Sequence, residues 1–383
     1  MEKTPTLGSA PGSAKPHAAA RPSRPPALGR QLTRPVEVEL SLRSYSRGLR
    51  LGCAIDDIRT GRINDAERTL LLKHFDVLTP ENSMKPALIQ PTEGAFQFDA
   101  PDALVDFAEA HGLDVVGHCL VWHQQCPDWF FKDGDAPAGR ELVLKRMRKH
   151  IDALVGRYRG RVLGWDVVNE AIDDKQGFFR PTPWIEHVGE DFIEHAFRYA
   201  QAADPKAELY YNDYNIEQPA KRDKTLRLLR QLQDANVRLD GVGIQGHWIL
   251  DRVPFDDIED AILAYHELGL KVMITELDID VVDRPDCGAD VSLHAAYTVE
   301  QDVYRDGCPL EVLERQADQY ARLFELFYRH RDKVDRVSFW GLHDGKSWLN
   351  EWPGQRTNHP LLFDRDCQPK AAYHRVIQLL NQR

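Results

Sequence analysis

The sequence predicts a (β/α)8 barrel of the TIM type, built as a single domain. Three observations predict it. Eight short runs rich in Val, Ile, Leu and aromatics recur along the chain, as strands buried on both faces should. Amphipathic stretches separate them, the pattern of helices that cover such a sheet. The runs end in polar or aromatic side chains, and in a parallel barrel chemistry gathers at the strand C-termini. A doubly wound open sheet is the alternative. It wants a glycine-rich phosphate loop after its first strand, and DDIRTGRIND, which follows RLGCAI, matches neither common form.

The expected strands are RLGCAI (50–55), FDVLTP (75–80), DVVGHCLVW (114–122), VLGWDVVNE (162–170), ELYYNDYN (208–215), GVGIQGHW (241–248), KVMITELDI (271–279) and DRVSFWGL (335–342). Between the third and fourth, Leu144, Met147, Ile151, Leu154, Val155 and Tyr158 fall at steps of three and four, one apolar stripe on a long helix. Residues 219–236, 254–269 and 309–331 read similarly, with Pro219, Pro254 and Pro309 where helix starts favour proline. A last helix, 370–381, closes the chain.

Composition narrows the function. Of 383 residues, 42% are hydrophobic and 28% charged, an ordinary globular balance. No apolar run reaches the roughly 18 residues of a membrane span. Residues 1–36 hold seven prolines and six cations against Glu2 alone, which reads as a disordered tail preceding a domain at 37–383. With a net charge of −11 overall, the remainder is the more acidic, which argues against nucleic acid as a partner. The tail lacks the apolar segment of about 7–15 residues that marks an export signal. As written the chain reads as cytoplasmic; the alternative is a secreted protein whose true signal is missing. Thirty-six residues are too few for a carbohydrate-binding module.

Six cysteines do not make a disulfide framework in a chain this long, although Cys287 and Cys308 flank a loop-like stretch and could pair. GHCLVWHQQC invites a metal reading. Its His118 and His123 are an odd number apart, so on one strand they face opposite ways, and its cysteines lack zinc-site spacing.

The strand ends carry the argument. The second is followed by Glu81, Asn82 and Lys85, and the third holds His118, Trp122 and His123. The fourth ends in Asn169 and Glu170, and the fifth brings Asn212, Asp213, Tyr214 and Asn215. Gln245, His247 and Trp248 belong to the sixth, Glu276 and Asp278 to the seventh, Trp340 to the eighth, with Trp348 beyond it. Singly, each is more often a solvated or structural residue; a packed barrel needs none of them there. A Schiff-base site wants a lysine at a strand end, but Lys271 begins its strand. Glu170 and Glu276 stand out as strand-final glutamates on separate strands. A carboxyl pair cleaves a glycosidic bond, one protonating the leaving oxygen while the other attacks or activates water. Aromatic faces stack on sugar rings.

WDVVNE, ITELD, TPENSMK, GHCLVWHQQ, YNDYN, GIQGHW and WGLHDGKSW together resemble the signatures of family 10 glycoside hydrolases, the retaining endo-β-1,4-xylanases, from about Leu40 to the end. The resemblance implies a (β/α)8 barrel that hydrolyses internal bonds of xylan or xylooligosaccharides as a monomer, without metal or cofactor. It implies Glu170 as general acid/base and Glu276 as nucleophile. His247 and Asp278 would orient Glu276 and keep it ionised, Asn169 would contact a sugar 2-hydroxyl, and Gln245 would sit beside the pair. Glu81, Asn82, Lys85, His118, Trp122, Gln125, Trp340 and Trp348 would line the glycone side, with Tyr214 near the aglycone side. One departure is Pro86, where the family usually has tryptophan, which puts that loop's shape in question. The stretch 281–308 is long for this position. A non-catalytic sugar-binding barrel and hydrolysis of another β-glycan are the rival readings.

Overall fold

The computed structural model describes residues 41–46, 48–56, 58, 63–284, 289–292 and 302–382. The expected tail and Cys287 lie outside them; Cys308 is a free, half-buried thiol.

Eight parallel strands close into a barrel. They are β1 (Arg50–Ala54), β2 (Val77–Thr79), β3 (Asp114–Val121), β4 (Gly164–Asn169), β5 (Glu208–Asp213), β6 (Gly241–Ile244), β7 (Lys271–Asp280) and β8 (Val334–Phe339). Each pairs with its sequence neighbour, and β8 pairs with both β7 and β1, which removes every open edge. A helix follows each strand in turn: Asp65–His74, Asp99–His111, Arg140–Arg157, Phe192–Ala203, Pro219–Asp234, Phe255–Glu267, Leu310–Arg329 and Ala371–Asn381. The first, second and fourth are additions to those expected from periodicity. The first is fixed locally by a capping box, in which Asn64 and Glu67 each accept the other's backbone N–H.

Two expectations shift. The sixth strand does not run through to residue 248. It stops at Ile244, Gly246 takes a φ of +86°, and His247–Ile249 resumes as a ninth strand on the end of β7. Pro219 is the first helical residue as expected, but Pro254 and Pro309 sit one position earlier, as caps. Pro86 opens a short helix, Pro86–Ile89, and the Ala87 amide bonds the Gln125 carbonyl at 2.8 Å. Among the described residues, no helix is long and apolar enough to cross a membrane.

The core has two parts. The larger lies between the strands and the helices. The smaller, Val77, Val116, Tyr210 and Met273, is placed inside the barrel by strand alternation. Above it the interior turns polar: His118 bonds Asp166 at 2.9 Å, both buried. Large and small residues interlock across neighbouring strands. Trp165 is fully buried and lies beside Gly117, where an added methyl would meet its ring at 2.2 Å. The three nearest atoms all belong to that packed indole, a rigid ring with little room to yield. Gly117→Ala is therefore expected to lower unfolding stability by about 1–3 kcal/mol through overpacking. Urea unfolding checks this; an unchanged midpoint would mean that the helix layer moves aside.

Candidate active site

The barrel mouth forms a cleft of about 640 Å³, and Glu170 and Glu276 both open onto it, although Glu276 lies within β7 and not at its end as the sequence suggested. Glu170 follows β4 directly. Its backbone adopts φ +57°, uncommon for a residue with a side chain, and this turns the carboxyl inward from the strand end. Trp122 Nε1 donates to its Oε2 at 2.8 Å. Gln245 and Asn169 donate to its Oε1 at 3.0 and 3.3 Å. All of these donors are neutral. Burial raises the Glu170 carboxyl above its ordinary value, and the bonds from Gln245 and Trp122, with the Arg180 charge, offset only part of that.

Glu276 has different company. Its Oε1 accepts from Asn212 Nδ2 at 2.7 Å and its Oε2 from His247 Nε2 at 3.1 Å. On the far side of the imidazole, Nδ1 meets Asp278 Oδ2 at 2.9 Å. Burial alone would lower the His247 pKa; the two flanking carboxylates reverse this and raise it to about 10, so the ring is an imidazolium that donates from both nitrogens. Burial likewise pushes Glu276 up. The bond from His247, the positive fields of His118 and His247 and the bond from Asn212 outweigh it, so its carboxyl lies below the ordinary value. Two carboxyls in one buried space thus have their pKa values pushed in opposite directions, the pattern that separates an acid from a nucleophile.

An amide chain joins them. Asn212 Nδ2 also bonds Asn169 Oδ1 at 3.0 Å, and Thr275 Oγ1 fixes Asn212 Oδ1 at 2.6 Å.

Around the pair, Lys85 bonds Asn82 at 3.1 Å and lies 4.9 Å over the Trp122 ring. Glu81, Asn82, Lys85, His118, Trp122 and Gln125 line one side of the cleft. Trp340, Trp348 and Trp352 line another, with Trp348 and Trp352 stacked at 4.7 Å. Ala289 and Val291, from the stretch after β7, complete the lining, and Arg180 pairs with the intervening Asp290 at 3.3 Å.

The sequence model described as glycosyl hydrolase family 10 matches residues 40–379. The chain belongs to glycosyl hydrolase family 10. Endo-1,4-beta-xylanase B of Paenibacillus barcinonensis is 39% identical, the match covering 87% of this chain and 96% of the relative. An endo-1,4-beta-xylanase of Geobacillus stearothermophilus is 41% identical over 88% of this chain and 97% of its own. The solved structure of a GH10 endoxylanase from a sugarcane soil metagenome superposes with a TM-score of 0.83, at 38% identity and 88% and 98% coverage.

Within this family frame, the structure brings the expected residues together, with two set back from the cleft. Asp278 lies behind His247, bonded to its Nδ1. Tyr214 is only 1% exposed, its hydroxyl held between Arg180 and Asp174 and its ring beneath Lys221, so it offers the cleft no free face. Sequence reasoning gave no role to Asn212, Arg180 or Trp352. Asn212 stood in YNDYN among other polar residues, and only the fold singles it out. A donor to a carboxylate favours the charged form, so removing it raises the pKa. Carbon-13 NMR of labelled carboxyls is expected to show Glu170 titrating higher in Trp122→Phe and Glu276 higher in His247→Gln. An unmoved midpoint in either variant would mean that the bond carries no charge stabilisation.

Proposed function

We propose that the protein is a retaining endo-β-1,4-xylanase in which Glu170 is the acid/base and Glu276 the nucleophile. The observation that carries the assignment is the unlike surroundings of two buried carboxyls, one among neutral donors that leave its pKa raised and one bonded to His247, which lowers it. Retention is the general mechanism of family 10. In the first step Glu276 attacks the anomeric carbon, the glycosidic C–O bond breaks, and the Glu170 proton passes to the leaving oxygen. Glu170, now a carboxylate, takes a proton from water; the water oxygen attacks the same carbon and Glu276 departs. The product keeps the β-configuration, and both carboxyls return to their starting state.

His247 and Asp278 hold Glu276 charged between turnovers. Asn169, tied to Asn212 and beside Glu170, is placed to bond the 2-hydroxyl of the sugar undergoing cleavage. Glu81, Asn82, Lys85, His118 and Gln125 supply hydroxyl partners, and Trp122, Trp340 and Trp348 supply apolar faces. Tyr214 acts through Arg180 rather than by stacking on a sugar. The substrate is xylan or its oligosaccharides, in keeping with the endo-1,4-beta-xylanases this chain resembles.

Linear xylohexaose and cellohexaose, incubated in parallel, test this. Internal cleavage of xylohexaose with the β-anomer formed first is expected. Faster cleavage of cellohexaose would move the substrate class, and the α-anomer first would overturn the roles. Glu170→Gln is expected to lower kcat/KM on xylohexaose by about 10²–10⁴-fold. Near wild-type turnover in that variant would remove Glu170 from the mechanism.

A further inference from the structure

The backbone around Glu170 is held in a way that the reaction itself does not explain. A left-handed residue with a side chain is disfavoured, so its neighbours must compensate. The Glu170 amide donates to the Asn212 carbonyl at 2.9 Å, and its own carbonyl accepts from Arg180 Nε at 3.3 Å. The next two amides, of Ala171 and Ile172, converge on a single atom, the Tyr211 hydroxyl oxygen, at 3.1 and 3.2 Å. Successive N–H groups aimed at one point form the concavity that in loops traps an anion. Here a phenol oxygen fills it. Tyr211 is fully buried and its hydroxyl donates to Asp213 Oδ2 at 2.6 Å, while Lys221 holds Asp213 Oδ1 at 2.8 Å. The hydroxyl has one proton to give, and Asp213 takes it. Its lone pairs are therefore free for the two amides.

We infer that Tyr211, oriented by Asp213, is a positioning residue for proton transfer: its hydroxyl clamps the left-handed turn that aims Glu170 at the leaving oxygen. This rests on the reading of Glu170 as the acid. A phenylalanine would fill the same apolar space, so the ring alone needs no hydroxyl. Without the oxygen, the Ala171 amide loses its acceptor and the Ile172 amide keeps only Asp213 Oδ2, at 3.4 Å. The turn relaxes and the carboxyl drifts from its line, and a displacement of about 1 Å is enough to cost proton transfer heavily.

The consequence is selective. A poor leaving group needs the proton and a good one does not, and kcat/KM reports the first bond-breaking step alone. Tyr211→Phe is expected to lower kcat/KM on xylohexaose by about 10–100-fold. On 2,4-dinitrophenyl β-xylobioside, whose phenolate leaves unprotonated, kcat/KM is expected to stay within about threefold. An equal fall on both substrates, or no fall on either, overturns the inference. Glu170→Ala, assayed alongside, separates the two claims. If it loses xylohexaose, keeps the dinitrophenyl substrate and yields β-xylobiosyl azide with added azide, the acid reading stands whatever Tyr211→Phe does. If it retains xylohexaose, the acid reading fails and takes the inference with it. Should Tyr211→Phe not fold, Arg180→Met removes the other hold on the turn. The same split is expected there, and equal losses on both substrates refute the clamp.

Discussion

The hydrogen bond from His247 to Glu276, 3.1 Å long and almost wholly buried, governs the chemistry of the cleft. A carboxylate taken out of water recovers its proton unless something replaces the lost solvation. His247 replaces it, because Asp278 on its other nitrogen keeps the ring positive. The effect passes along a line. Asp278 raises the His247 pKa, His247 lowers that of Glu276, and the charge on Glu276 adds a smaller share to burial in raising that of Glu170. The asymmetry follows from the kind of donor each receives, more than from depth, since both glutamates are equally covered.

Such a line needs a scaffold that brings four strand ends within bonding distance, and two glycines make the close approach. Gly243 leaves the space that Asn212 occupies; a methyl there would lie 2.3 Å from the Asn212 amide oxygen and 2.7 Å from Thr275. Gly246, at φ +86°, turns the chain between Gln245 and His247. That turn lets the carbonyls of Gln245 and Gly246 accept the amides of Glu276 and Asp278, at 2.7 and 3.2 Å. One segment thereby positions a donor to Glu170, the imidazolium and the strand that bears Glu276.

The barrel, and the placing of Glu170 and Glu276 at its mouth, were legible in the sequence for a common reason. Apolar runs on both sheet faces and polar residues at their ends are local patterns, and the motifs that carried the family resemblance are themselves strand ends. What resisted reading depends on partners far along the chain. Asn212 and Tyr211 sit in ELYYNDYN beside residues of similar type, yet one bonds Glu276 and the other bonds backbone past Glu170. Tyr214 was expected near the aglycone side of the cleft, because nothing local reveals that Arg180, Asp174 and Lys221 enclose it. The break of the sixth strand at Gly246 was masked by the apolar residues that continue after it. The loop at Pro86 holds its course through a backbone bond to Gln125, which no side-chain pattern encodes.

Asp278 also ties recognition to chemistry. The oxygen that meets His247 Nδ1 accepts as well from Trp348 Nε1 at 2.8 Å. Trp348 in turn stacks on Trp352, and Arg284 lies 4.8 Å over the Trp352 ring. Asp280, two residues along β7, anchors Arg284 at 2.8 Å and Arg356 at 2.6 Å. Alternate residues of one strand therefore support the proposed nucleophile, Glu276, the charge on its histidine, through Asp278, and the base of the aromatic stack, through Asp280. A side chain pressed against packed rings and a buried guanidinium has no easy route to swing aside, so the wall is as rigid as the strand that holds it. Loss of the Asp278 carboxylate would release Trp348 and lower the His247 pKa together. Substrate fit and nucleophile ionisation therefore share one oxygen atom, and the two cannot be tuned separately at that position.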